Sequence, residues 1–175
     1  MNLLGRLGAA WGISGVLLLL MFAIYRLSDM ALNAFIEEFQ WQHWLLLISN
    51  IVFMAYSEGY KGFQLAYSPR VAARARHLLH HPQLLHVIFA PLFCMGYFYA
   101  TRRRLITAYA LLLGILLLIL IFQQLSQPWR GILDAGVVVG LSWGVVSLVW
   151  FCFHAMVAKS FAHSPEIPLK SSSQS

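Results

Sequence analysis

The feature that most constrains this chain is the run LITAYALLLGILLLILIF at residues 105–122, eighteen positions without a charge. A hydrocarbon layer about 30 Å thick is matched by about 20 apolar residues in a helix. A run of this kind therefore reads as a membrane-spanning helix. Similar runs lie at 9–25, 43–56 (with a continuation toward 60), 84–100 and 131–158. Across all 175 residues the chain is 60% hydrophobic and 10% charged, with mean hydropathy +0.71. Soluble domains are about 45–50% apolar and about 25% charged, so a soluble globular domain is excluded. Disorder is excluded as well, because it requires low hydrophobicity. The expected fold is all-α: a polytopic integral membrane protein with a bundle of five apolar helices. Residues 1–163 form its single domain, and the Ser- and Pro-rich residues 164–175 form a disordered tail. The first run has only Arg6 ahead of it and no convincing small-residue cleavage site after it, so it reads as an anchor rather than a removed signal.

Between the second and third runs the pattern changes. Ser68 is a good N-cap, Pro69 suits the first helical position, and Pro82 closes the segment. Stepped at about 100° per residue, Arg70, Arg74, Arg76, His77, His80 and His81 share one arc, and Val71, Ala72, Ala75, Leu78 and Leu79 share another. Residues 68–82 are thus expected to form a basic amphipathic helix in the membrane interface, with arginines toward headgroups. The bland reading is a loop helix packed on protein.

Net charge is +6 and the pI about 9.7. The basic residues flank apolar runs, so anionic lipid is the expected partner and nucleic acid is not. Positive charge favours the cytoplasmic side. With five crossings, Arg6, Lys61, Arg70, Arg74, Arg76 and Arg130 oppose Arg26, Arg102, Arg103, Arg104, Lys159 and Lys170, which decides nothing. If instead residues 84–100 turn back at Pro91, ten of these share one side and only Arg26 and Arg130 face the other. Five crossings, or four plus a Pro-broken re-entrant helix, both stand on the sequence. A bacterial cytoplasmic membrane is the expected location.

Gly136, Gly140 and Gly144 form a stripe of small residues on the fifth run. Gly5, Gly8, Gly12 and Gly15 form another on the first. Such stripes let backbones approach closely. They predict packing of these two helices on each other, or an interface with a partner subunit or a second copy.

The densest polar patch is YSEGYKGFQLAYSPR at residues 56–70. Glu58 and Lys61, three apart, can pair. With Tyr60, Arg70 and Arg74 they make a candidate site for a headgroup or small anion. The bland reading is a helix leaving the membrane through a tyrosine belt. Asp134, near the start of the fifth run with Arg130 close by, is a candidate for proton or cation coupling, or a carboxylate stabilised by the helix dipole.

His77-Leu78-Leu79-His80-His81 resembles one histidine box of the membrane di-iron desaturases and hydroxylases. Those enzymes use three such boxes, and His43, His154 and His163 stand singly here. The expectation is no metal and no cofactor, with a zinc ion on His77 and His81 left open. Cys94 and Cys152 lie in apolar runs without ligand spacing and read as buried small hydrophobes. No catalytic set emerges. The expected function is non-enzymatic: an accessory, scaffold or small permease-type subunit of a membrane complex. The alternatives are a small oligomeric transporter or channel, and an enzyme acting on lipid or isoprenoid substrates.

Overall fold

The computed structural model describes residues 3–158, 161 and 163–167. Among them the fold is all-helical and has no strand. Its helices are α1 (Leu3–Ala34), α2 (Trp41–Met54), a π-helical segment (Ala55–Tyr67), α3 (Ser68–His80), α4 (Leu84–Ile88), α5 (Ala90–Met95), α6 (Arg102–Phe122) and α7 (Trp129–Val157). Three of them, α1, α6 and α7, are long and apolar enough to cross a membrane. Helix α1 runs past its apolar segment through Arg26 and Asp29, so much of the polar stretch after residue 28 is helix rather than loop.

The largest departure from the sequence expectation is at Ser68. The expected helix is present as α3, Ser68–His80 with Pro69 in its first turn, but it has no free N-terminus: Tyr67 is itself in helical conformation, and residues 41–80 form one unbroken helical path. Ser68 caps nothing; its hydroxyl meets that of Ser147 on α7 at 3.0 Å. Pro69, lacking an N–H and bulky toward the preceding turn, sits where the wide π turns give way to α spacing. The wider turn makes room for the ring, and π segments can insert in this way without ending a helix.

The apolar run at 84–100 does not form one helix. Phe89 (φ −98°, ψ 31°) breaks it ahead of Pro91. Gly96 then ends α5 at φ 87°, a left-handed value glycine adopts without a Cβ clash. The N–H groups of Gly96 and Tyr97 both donate to the Leu92 carbonyl at 3.1 Å, closing the helix end. At five and six residues, α4 and α5 are each under about 10 Å long.

Contacts fix how the helices run. Gly131 lies against Met30 and Ala34, Gly136 against Asn50, Gly140 against Glu58, and Gly144 against Phe63. Ser147 meets Ser68, and Arg76 donates to the carbonyls of Ala155 and Ala158 at 3.0 and 2.8 Å. The 41–80 path therefore runs parallel to α7. Gly5 lies against Leu79 and Gly131 against Ala34, so α1 runs antiparallel to both. One end of the bundle gathers the start of α1 and the ends of α3 and α7. The other gathers Phe35, Phe39, His43, Trp44 and Trp129, whose rings pack at 4.8–6.3 Å.

The best-packed core lies toward the first end. Val16, Val71, Ala72, Ala75, Leu78, Phe93, Cys94, Leu148 and Cys152 pack together there. Helix α3 is enclosed by α1, α5 and α7 rather than laid on a surface. That corrects the interfacial reading: Arg74, expected at headgroups, is 2% exposed. Residues 164–167 are no free tail either. Pro165 accepts a hydrogen bond from Arg74, and Glu166 accepts one from the Thr101 N–H. The remainder of the expected tail, 168–175, lies outside the described residues, as do Lys159 and Lys170.

Candidate functional site: a polar face at mid-depth

The π segment carries most of the patch that the sequence singles out. Gly59 is buried because it faces the Trp143 side chain, where a Cβ would sit 2.9 Å from Trp143 Cβ. That contact seats the segment against α7, on which the stem of Glu58 also packs, at Gly140. Glu58, Tyr60 and Lys61 are all exposed. No ion pair joins Glu58 to Lys61 among the described residues; the Lys61 ammonium instead lies over the Tyr56 ring, 4.8 Å from its centroid. Tyr56 stacks on Tyr60 with ring centroids 6.0 Å apart. Gln64 Oε1 accepts a 2.8 Å hydrogen bond from Trp143 Nε1.

The depth of this face follows from its partner helix. Gly140 is eleven residues from the start of α7 and Gly144 thirteen from its end, roughly 16 and 20 Å along the axis. Glu58 and Phe63 pack on these glycines, so Glu58, Tyr60 and Lys61 sit level with the middle of a helix long enough to cross a membrane. Tyr56 and Tyr60 thus lie beside the middle of α7 rather than beside either of its ends.

Arg70 and Arg74 do not join this face as a single binding pocket. Arg70 is half-buried and its Nε donates to the Ala66 carbonyl at 2.5 Å. The Arg74 guanidinium lies over the Phe93 ring at 4.3 Å and donates to the carbonyls of Phe93, Pro165, Phe98 and Tyr99 at 2.5–3.1 Å. Phe98 and Tyr99 belong to the irregular segment between α5 and α6, Phe93 to α5, and Pro165 to the chain beyond α7. At Phe98, Tyr99 and Pro165 the guanidinium satisfies carbonyls that lie outside any helix.

The glycine stripes are occupied within the chain, but by different neighbours. A Cβ on Gly12 would meet Cys94 Sγ at 2.7 Å, and Gly8 and Gly15 face Val87 and Pro91. The α1 stripe thus takes α3, α4 and α5. The α7 stripe takes α2 and the π segment: Gly136 faces Asn50, Gly140 would bring a Cβ to 3.0 Å from Glu58 Cβ, and Gly144 to 2.6 Å from the Phe63 ring.

Asp134 is buried, with Oδ2 3.8 Å from Arg130 Nε and no hydrogen-bond partner for that oxygen. Asn50, which the sequence reading passed over, donates to the carbonyls of Ile132 and Leu133 at 2.8 and 3.3 Å. An asparagine inside an apolar run was the available signal for that contact. His77 and His81 lie side by side, ring centroids 5.0 Å apart. Among the described residues no three His, Cys, Asp or Glu side chains converge on a metal position. No protein-family model matches this chain, no characterised protein matches its sequence, and no solved structure matches its fold.

Proposed function

We propose that the chain is a non-enzymatic, membrane-embedded subunit that assembles with a second membrane-embedded chain through the face carrying Glu58, Tyr60 and Lys61. The observation that carries this reading is the exposure of Glu58 and Lys61 at mid-depth. A charged side chain at the bilayer centre costs about 3 kcal/mol on insertion scales, and such residues usually face protein or a wet cavity. A partner bearing complementary polar groups removes that cost. Helix α6, exposed along nearly its whole length, widens the surface such a partner can cover. Affinity purification in mild detergent followed by native mass spectrometry tests the reading. A discrete complex that Glu58→Leu with Lys61→Leu disrupts supports it; a monomer throughout contradicts it. A transporter reading rests on the same Glu58, and predicts a homo-oligomer with proton-linked flux in proteoliposomes.

The path we propose has four crossings, made by α1, residues 41–67, α6 and α7, with α4 and α5 dipping in and returning. The support is that Leu79 neighbours Gly5, while Arg74 bonds Phe98 and Tyr99 just ahead of α6. Arg6, Arg70, Arg74, Arg76, Arg102, Arg103 and Arg104 then share one side against Arg26 and Arg130, and the positive-inside bias makes that side cytoplasmic. Gln83 and Thr101 are exposed, whereas Cys94 and Cys152 are buried and stay silent. Cysteines introduced singly as Gln83→Cys and Thr101→Cys are both expected to react with an impermeant maleimide from the same face. Reaction from opposite faces contradicts this path.

A further inference from the structure

At the arginine-rich end of the bundle a cavity of about 270 Å³ opens beside α3. Arg76 and His77 form its half-buried wall, exposed His80, His81 and His163 form its mouth, and Phe161 adds an apolar side. The imidazoles come from two separate parts of the chain. His77 and His81 sit one turn apart on α3, while His163, its ring 5.1 Å from that of Phe161, arrives from beyond α7. Arg76 is fixed in the wall by its hydrogen bonds to Ala155 and Ala158.

We infer that this cavity binds a phosphate group, carried either by a lipid headgroup or by free phosphate. The lining offers one permanent cation and four imidazoles able to donate N–H bonds, and among the described residues no carboxylate lines it. Donors of this kind suit a small anion with several acceptor oxygens. The depression is open to the outside, so a phosphate can enter it while the rest of a larger molecule stays outside. A metal ion is disfavoured by the guanidinium in the wall and by the absence, among the described residues, of three converging ligands. The site stands on its own observations, independent of the assembly proposed above.

Protonation couples to occupancy. His77 is held below its ordinary 6.5, by burial first and then by the positive charge that His81, Arg74, His86 and His80 carry when protonated. Its empty-site contribution to stability is complete above that value and is lost as the pH falls below it, because the unfolded chain then takes up more protons. A bound phosphate offsets this by favouring the imidazolium. Binding therefore tightens on mild acidification, until the phosphate takes up its own second proton at about pH 6.

The test is histidine-selective NMR on the full chain in maltoside micelles titrated with inorganic phosphate, and in nanodiscs with and without phosphatidic acid. The expected result is movement of the His77, His81 and His163 signals, with His77 titrating at higher pH when phosphate is bound. His77→Gln with His81→Gln is expected to weaken binding about tenfold, and the exposed His163→Gln serves as a second variant outside the packed helix. Movement with phosphatidic acid alone assigns the site to a lipid headgroup; movement with inorganic phosphate assigns it to free phosphate. Unmoved signals in both, or stoichiometric zinc binding lost in the same variants while phosphate has no effect, overturn the proposal.

Discussion

Helices α6 and α7 are both long and apolar, yet they behave differently. In their most apolar stretches 33% of α7 is buried and only 6% of α6. Hydrophobicity cannot produce this contrast, because lipid tails are as apolar as leucine and give no drive for one helix to seek another. The difference lies in side-chain size. Helix α7 presents Gly136, Gly140 and Gly144 to a neighbouring helix, whereas the single Gly114 of α6 has nothing within 4 Å of where a Cβ would be. Among the described residues no helix packs along α6. It is held at its base, where Arg104 and Ala108 are buried and the Tyr109 hydroxyl donates to the Tyr97 carbonyl at 3.2 Å. In this chain small residues decide which helices join the bundle.

Substitutions that reverse the size rule break the contrast most sharply. Gly136→Leu drives a side chain into Asn50, whose amide holds two α7 carbonyls. Overpacking of this kind costs about 1–3 kcal/mol, and the lost hydrogen bonds add to it, so the melting temperature in detergent is expected to fall strongly. Arg74→Gln acts on the base of α6. It strips donors from the carbonyls of Phe98 and Tyr99, which lead into that helix. An unsatisfied buried acceptor costs about 1–3 kcal/mol, and faster proteolysis between α5 and α6 is the expected readout. Gly114→Leu sharpens the contrast from the other side. With open space around it, the change is expected to stay within about 0.5 kcal/mol, read by the same melting curve.

The physics that separates α6 from α7 also marks what could be read from the sequence. Apolar runs announce helices whatever they pack against, so the helical class and α1, α6 and α7 were legible. Glycine stripes announce close approach and not the partner. Helices α1 and α7 do pack on each other, as the stripes lead one to expect, yet most of the stripe glycines face other neighbours: those of α1 meet α3, α4 and α5, and Gly136, Gly140 and Gly144 of α7 meet α2 and the π segment. Pro91 marked a weak point in the third run, and the break falls just before it at Phe89. Ser68-Pro69 misled, because a proline inside a helix is tolerated where the preceding turns are wide, and π spacing has no signature in composition. The basic arc of α3 misled for a similar reason. Arginines that would face headgroups on a lone helix face carbonyls here, since the irregular α5–α6 segment and the end of α7 need donors. The polar patch at 56–64 was visible as residues, but its depth was not, because depth depends on which turn of α7 it meets.

The central claim is that the mid-depth polar face of the π segment is covered by another membrane-embedded chain. A photo-crosslinking amino acid placed at Lys61, with a second at Leu117 on α6 and a third at buried Leu148 as the internal control, measures this in intact membranes. The account predicts a protein adduct of discrete mass from position 61, in keeping with the surface that Glu58 and Lys61 expose, and none from position 148. Adducts from position 61 with lipid alone would contradict it.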